Sequence, residues 1–328
     1  MNTKRIAFPA LSALFLALGS SSWAWGPVGH KAIGMIAQSR LSPQAMQAVQ
    51  AILGSGVDLQ KIANCPDQFV FTPDTNCAGV FTMTGDPKLT KHWHYVDTPI
   101  TANVDAASIM NFCPQDDCSV AQIRKDIAVL QDSAASLQDR RMALMFLVHF
   151  VGDEHQPLHN ETGVPDDFGG NLKIMSAMIY LGKPQNLHTV WDEAIQDPAK
   201  VDYRLPDDAL TAQAETLARS LEGGVQDAAS WLTGDFVAAA SVEGHDIAQT
   251  VIYPAYAASN GSDLLADYQA KMQPIAFKRI QMAGVRLAAL LEQALVPPAS
   301  SSANASAAQD ASAKSLSMLK TTKAALVK

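Results

Sequence analysis

The sequence predicts a mainly α-helical, single-domain, multi-helix fold built around a set of inward-facing metal ligands. Three observations predict it. Apolar residues recur at helical spacing through most of the chain, whereas β-branched alternation is sparse. No Gly/Ser linker or composition break divides Trp25 from Leu295, which favours one domain. And the pattern His-x-x-x-Asp occurs twice, as His149/Asp153 and His188/Asp192, each time in a segment of helical character. At ~3.6 residues per turn, residues four apart share a face, so each pair aims two ligand groups the same way.

Taken in order, residues 1–24 read as a leader outside the fold. Lys4 and Arg5 open it, Ile6 to Leu18 is an apolar core too short for a membrane span, and Ser22-Trp23-Ala24 ends in small residues flanking the Trp. That is the form of a secretory signal peptide cleaved between Ala24 and Trp25, and it predicts a secreted or periplasmic protein. Trp25 would then carry a free α-amino group. Its ordinary pKa near ~8 lets it lose its proton and bind a metal at modest cost.

Helices are predicted over His30–Ser39, Pro43–Leu53, Val120–Leu130, Arg141–Val151, Ala209–Leu221, Ile247–Tyr256 and Ile275–Leu295. Asn171–Tyr180 reads as a strand or short hairpin. HWHYVD alternates, so as a strand it would send His92 and His94 to one face and Trp93 and Tyr95 to the other. Pro157 cannot donate an N–H, so it stops the helix that carries His149 and Asp153, and the turn presents His159 from the helix end. The domain is expected to span 25–297; residues 298–328 turn to Ser, Ala and scattered Lys and read as a disordered tail.

The four cysteines suit two disulfides in an exported chain. Local pairing is expected, Cys65 with Cys77 and Cys113 with Cys118, because each pair brackets a Pro-containing loop or turn. A zinc site of four thiolates lacks the C-x-x-C spacing. The net charge is −8, and loss of Lys4 and Arg5 makes it more negative. That argues against a groove-tracking nucleic-acid binder, which usually shows a basic stripe. It does not argue against an enzyme acting on phosphodiesters, because bound divalent cations offset nearby carboxylates.

The stretch FLVHFVGDEHQPLH is apolar enough to be buried, and a buried carboxylate beside buried imidazoles needs a partner that a metal ion supplies. Added to Trp25, His30, Asp67 and His94, the candidates become Trp25, His30, Asp67, His94, His149, Asp153, His159, His188 and Asp192. That is too many nitrogen and oxygen ligands for one tetrahedral ion.

At these residues the chain resembles the secreted zinc nucleases of the nuclease S-one and nuclease P-one type. The motifs that carry the likeness are WGPVGHKAIGMIA at Trp25, WHYVD, HFVGDEHQPLH, FGGN ending at Asn171, NLHTVWD and, more weakly, AGVRLAALL. The resemblance implies a fold shared with zinc phospholipase C and a cleft with three Zn2+. One ion is expected at Asp67, His94, His149 and Asp153. A second takes the Trp25 amine and carbonyl, His30 and Asp153, so that Asp153 bridges. The third takes His159, His188 and Asp192. The implied reaction is hydrolysis of single-stranded RNA and DNA to 5′-phosphate products, with 3′-nucleotidase activity, by hydroxide from a water acidified at the close pair. Asp67 is expected to orient that water, and Tyr95, Asp97 and Asn171 to hold a splayed base. A monomer without a stable protein partner is expected.

Two positions depart from the family pattern. Val70 stands where fungal members have an Arg, leaving Lys61 as a candidate replacement, and Gly244 stands where a Ser follows the Glu of the late helix, here Glu243. Zinc phospholipase C is the rival reading. The five-residue step from Trp25 to His30 and the His188/Asp192 pair lean away from it. A non-catalytic metal carrier is disfavoured by ligands spread over the whole chain.

Overall fold

The computed structural model describes residues 25–71, 76–77, 79, 81–83, 86–180, 183–195, 205–225, 228–263 and 265–296. The expected leader and the expected tail from 298 lie outside them. Within them the fold is mainly α, as the periodicity predicts. The helices are α1 (Gly26–Ser39), α2 (Pro43–Leu53), α3 (Leu59–Ile62), α4 (Cys65–Phe71), α5 (Ser119–Gln131), α6 (Leu137–His155), α7 (Leu187–Thr189), α8 (Asp207–Glu222), α9 (Phe236–Ile247), α10 (Tyr253–Ser259) and α11 (Leu265–Leu295). Two small antiparallel hairpins complete the set: β1 (Asn76–Cys77) with β2 (Phe81–Thr82), and β3 (Ile174–Tyr180) with β4 (Lys183–Asn186). The second is the hairpin expected from Asn171–Tyr180. None of the helices among the described residues is long and apolar enough to cross a membrane.

α6 is the central element. Ser136 caps it by accepting from the Asp139 N–H, and every residue from Ala143 to His155 is buried. A helix apolar on all sides must be surrounded; α5 and α11 pack on it, and α1 packs on α11 and α8. The helix ends at His155, and Pro157 opens a single 3₁₀ turn, Pro157–His159, as the missing N–H requires. Both expected disulfides are present, Cys65–Cys77 and Cys113–Cys118. The first ties the start of α4, two residues before Asp67, to β1.

Four expectations need correction. HWHYVD is not a strand: Pro87–His94 is a 3₁₀ helix, opened by Pro87 and by the Asp86 carboxylate accepting from the Lys88 N–H. His92 and His94 therefore do not share a face; His92 is exposed and paired with Asp117 at 3.1 Å, while His94 is buried. The second His-x-x-x-Asp pair is not on a regular α-helix, because α7 passes into a π-helical turn, Val190–Ala194, that carries Asp192. Ile247–Tyr256 is not one helix but the end of α9, a π turn (Ala248–Ile252) and the start of α10. Finally, α11 runs through Pro274 rather than starting after it, and buried Tyr268 and Met272 anchor the extra turns.

Candidate metal centre

Three groups of buried imidazoles and carboxylates converge: His30 with His149 and Asp153; Asp67 with His94 and His149; and His159 with His188 and Asp192. Every histidine and aspartate expected as a ligand is in one of them. His149 belongs to the first two, and the second is also reached by the carboxylate of Asp153. Its Oδ1 is 3.3 Å from His30 Nε2, and its Oδ2 is 2.9 Å from His94 Nδ1 and 3.2 Å from His149 Nε2. Asp67 Oδ1 completes that side at 3.6 Å from His94 Nδ1 and 3.4 Å from His149 Nε2. In the third group His188 Nε2 lies 3.2 Å from His159 Nε2 and 3.5 Å from Asp192 Oδ2.

These spacings fit a metal. Ligands ~2.0–2.2 Å from a tetrahedral zinc stand about 3.3–3.6 Å apart, and the pairs in these groups lie around that range, from 2.9 to 3.9 Å. The protons fit as well. A carbonyl can only accept, so the ring nitrogen facing one carries the hydrogen and the other offers its lone pair. His149 Nδ1 faces the Ala63 carbonyl at 2.7 Å, His159 Nδ1 that of His94 at 2.8 Å, and His188 Nδ1 that of Gly169 at 2.7 Å. All three therefore turn Nε2 into their clusters, held by the outer hydrogen bonds that metal-ligating histidines commonly have. Meanwhile both ring nitrogens of His30 and all four carboxylate oxygens of Asp67 and Asp153 are buried without a hydrogen bond. Leaving such groups unsatisfied costs several kcal/mol, so they suit a cation.

The acid–base balance points the same way. Burial, with His188 close by, lowers His159 to about 3, and burial lowers His188 to about 4. Burial, with His149 close by, lowers His30. Each of these three is then a neutral imidazole, the ligating form. Burial also works against a charge on His149, but Asp153 and Asp67 outweigh it and raise His149 to about 10. Burial would raise Asp153, yet His149 holds it well below the carboxylate range. A proton on His149 thus balances carboxylates that a divalent ion would balance instead. Burial, then Glu193, push Asp192 up, against the hydrogen bond from Gln156.

The chain geometry that builds the centre is specific. The Trp25 indole donates to the Gly152 carbonyl at 2.9 Å, which fixes the start of α1 one residue from Asp153. The Trp25 carbonyl already accepts from the Gly29 N–H at 3.0 Å. His30 lies so close to α6 that a Cβ on Gly152 would stand 2.7 Å from Nδ1. Residues 96–100 run alongside 159–162, joined by Val96 N–H to the His159 carbonyl and by Ile100 N–H to the Thr162 carbonyl, both 2.8 Å. That pairing sets His94 beside His159.

Some supporting residues carry no signal in composition or periodicity. Gln156 donates to Asp192 Oδ1 at 2.6 Å while its own oxygen accepts from Leu158 N–H. Gly169 has φ +62°, and a Cβ there would meet the Leu158 carbonyl at 2.5 Å, so the loop that orients His188 admits only glycine. Gly244 has a similar cause, since Asn160 Nδ2 would lie 2.5 Å from a Cβ there.

Tyr95 is half-buried and Asp97 is exposed. Loss of solvation, then Asp166, raise Asp97 to about 6, against the pull of His92. Burial, then Asp97, raise the Tyr95 phenol. Asn171 sits across the loop, its amide donating to the Phe168 carbonyl at 2.7 Å, and Asp166 accepts from the Phe168 N–H at 2.9 Å. Val70 is half-buried on α4. Lys61 is exposed, and its ammonium donates to the Gly56 carbonyl at 3.0 Å.

A family profile described as S1/P1 Nuclease matches residues 25–296. Among curated proteins the chain is 30% identical to Nuclease S1 of Aspergillus oryzae over 298 residues, covering 86% of this chain and 96% of that one. It is 31% identical to Endonuclease 1 of Arabidopsis thaliana, covering 88% of this chain and 94% of that protein. With Nuclease P1 of Penicillium citrinum it shares 32% identity over 219 residues, 64% of this chain and 73% of the other.

Proposed function

The chain belongs to the S1/P1 nuclease family, and from that membership we propose that it is an exported zinc-dependent endonuclease of single-stranded RNA and DNA. Its products carry 5′-phosphates, and 3′-nucleotides are further substrates. The observation that carries this reading is the convergence of buried, lone-pair-bearing ligands into three groups at zinc–ligand spacing.

In this reading Asp67, His94, His149 and Asp153 hold one zinc, Trp25, His30 and Asp153 a second, and His159, His188 and Asp192 a third. Zinc supplies Lewis acidity toward the phosphodiester and brings a water's pKa toward ~7. Asp153 would serve both of the first two ions, because its two oxygens face different imidazoles. Asp67 orients the attacking water and accepts its proton, its buried oxygens being without hydrogen bonds. Gln156 keeps Asp192 aligned at the third position. Tyr95 and Asp97 on one side and Asn171 on the other take a base, which must be splayed from its neighbours to enter. Duplexes should therefore be poor substrates.

The chain lacks a guanidinium at Val70, so transition-state charge would fall more heavily on the metals. The test is a product-release assay on single-stranded nucleic acid, duplex and phosphatidylcholine, with and without a chelator. Chelator-sensitive release from single strands alone supports the reading. Release from phosphatidylcholine with strands untouched would replace it with the phospholipase reading.

A further inference from the structure

Asp153 and His159 serve different ligand groups, yet only six positions of chain separate them. The helix ends between them: α6 stops at His155, and Pro157 brings no N–H. The carbonyls of its last turn must find donors elsewhere. That of Gly152 takes the Trp25 indole and that of Asp153 the Gln156 N–H, both at 2.9 Å. That of His155 takes Arg279 Nε at 2.8 Å. Those of Glu154 and Gln156 share one side-chain amide, Asn160 Nδ2, at 3.0 Å each. Arg279 Nη2 adds a longer contact to Glu154 at 3.3 Å, and the His159 N–H also reaches Gln156, at 3.0 Å. Asn160 is fully buried, and its Oδ1 accepts from Ser241 Oγ at 2.8 Å. Its orientation is therefore fixed at both ends, since a carbonyl can only accept.

The room for this amide is a notch in α9, where a Cβ on Gly244 would stand 2.5 Å from Nδ2. We propose that Asn160, seated in that notch, is a positioning residue. It sets the reach from the Asp153 carboxylate to the His159 imidazole, and so from the close pair to the third ion. The proposal rests on the three-zinc nuclease reading. α6 is buried from Ala143 onward and holds Asp153 by its packing. The three-residue 3₁₀ turn beyond it has too few internal hydrogen bonds to set its own angle to the helix. Its other ties, at His159, run to His94 and Val96 and not to α6. Gln156, whose carbonyl Asn160 holds, also donates to Asp192. Two members of the third group thus hang from one amide.

The test strips the mature protein of metal and titrates it with zinc against a graded series of chelators. Asn160→Asp keeps the shape but turns a carboxylate, which when ionised only accepts, toward two carbonyls. Gly244→Ala fills the notch and leaves every hydrogen-bonding group in place. Both variants should weaken one zinc equivalent about 10–100-fold, the usual cost of an outer contact, and leave the other two at their wild-type affinities. Ser241→Ala frees only the far end of the amide and should weaken the same equivalent by less. With zinc saturating and a single-stranded oligonucleotide as substrate, Asn160→Asp and Gly244→Ala should lower kcat far more than they change KM. A misplacement of ~1 Å can cost about 100-fold in rate.

Equal weakening of all three equivalents, in step with a lower melting temperature, overturns the proposal and leaves Asn160 a purely structural residue. So does an unaltered third equivalent in Asn160→Asp and Gly244→Ala. Should neither of those variants fold, Ser241→Ala decides alone, and wild-type affinity at every equivalent overturns the proposal. Wild type that binds three equivalents but leaves single strands uncut fails the nuclease reading, while the zinc titration still judges the role of Asn160. Wild type that cuts, with variants that keep three full-affinity equivalents, fails the role of Asn160 alone.

Discussion

Asp153 Oδ1 lies 3.3 Å from His30 Nε2, and it is the oxygen turned away from His94 and His149. One carboxylate thus serves two ligand groups, and its loss should be felt in both. Asp153→Asn keeps the shape and removes the charge. It should lower zinc content and reduce strand cleavage by more than the 10–100-fold typical of losing an outer contact. Asp192→Asn touches only the third group and should keep residual turnover. Metal analysis with parallel rate measurements checks both; full zinc and near-normal cleavage in Asp153→Asn would remove the basis for a shared bridge.

The approach of His30 to α6 depends on Gly152, where a Cβ would stand 2.7 Å from the ring nitrogen. Gly152→Ala should therefore displace His30 and lose bound zinc, although helix propensity alone favours Ala. Overpacking should cost about 1–3 kcal/mol in stability. Metal titration and thermal melts read the two effects separately, and a variant with unaltered zinc affinity would show that α1 shifts without cost.

Gln156 is the hydrogen-bond partner that fixes Asp192 Oδ1, at 2.6 Å. Gln156→Leu preserves bulk but removes this hydrogen bond to Asp192. Zinc affinity at the third group should fall about 10–100-fold, with the close pair unaffected. Competition with a graded series of chelators resolves the one weakened equivalent from the others.

Much of this centre was legible because its ligands sit in short, regular relationships. His149 and Asp153 needed only helical spacing, and Pro157 needed only its missing N–H to mark where His159 would emerge. The family motifs added His30, Asp67 and His94, and the structure places all of them in the ligand groups. What was not legible depends on tertiary contacts. His92 and His94 look equivalent in an alternating run, yet Asp86 and Pro87 start a 3₁₀ turn that separates them. Pro274 looks like a helix boundary, but packing carries α11 through it. The roles of Gly152 and Gly244 follow from side chains far away in sequence, His30 and Asn160, that no local pattern reveals.

Asp126 on α5 lies outside the centre and gives a pH signature of its own. Burial raises its carboxyl well above the usual range, with only Lys125 opposing. The folded protein therefore retains a proton that the unfolded chain gives up near pH ~4. Stability from this group falls as pH rises above that value, by at most about 1.4 kcal/mol per pH unit, until the folded-state carboxyl ionises. Asp126→Asn removes the penalty, so its advantage over wild type should grow from about pH 4 upward. Denaturant melts across that range check the sign, and parallel curves for the two proteins would contradict it.

The last expectation concerns Trp25, whose indole bond to the Gly152 carbonyl holds the first described residue beside Asp153. That bond sets Trp25 against the residue that precedes Asp153, and His30 and Asp153 are the two residues proposed to share a zinc with its backbone nitrogen. That nitrogen ligates only as a free amine, because an amide nitrogen has no available lone pair. Leader removal between Ala24 and Trp25 would thus complete a metal site as well as release the protein. The mature chain should begin at Trp25 and bind three equivalents of zinc. A variant that retains one extra Ala before Trp25 should keep its fold and its third-group zinc but bind the close pair less tightly, with cleavage reduced at least 10-fold, about 1.4 kcal/mol. Intact-mass measurement fixes the terminus, and metal analysis with a rate assay reads the consequence. An extended chain with full zinc and undiminished cleavage would show that His30 and Asp153 hold their ion without the amine.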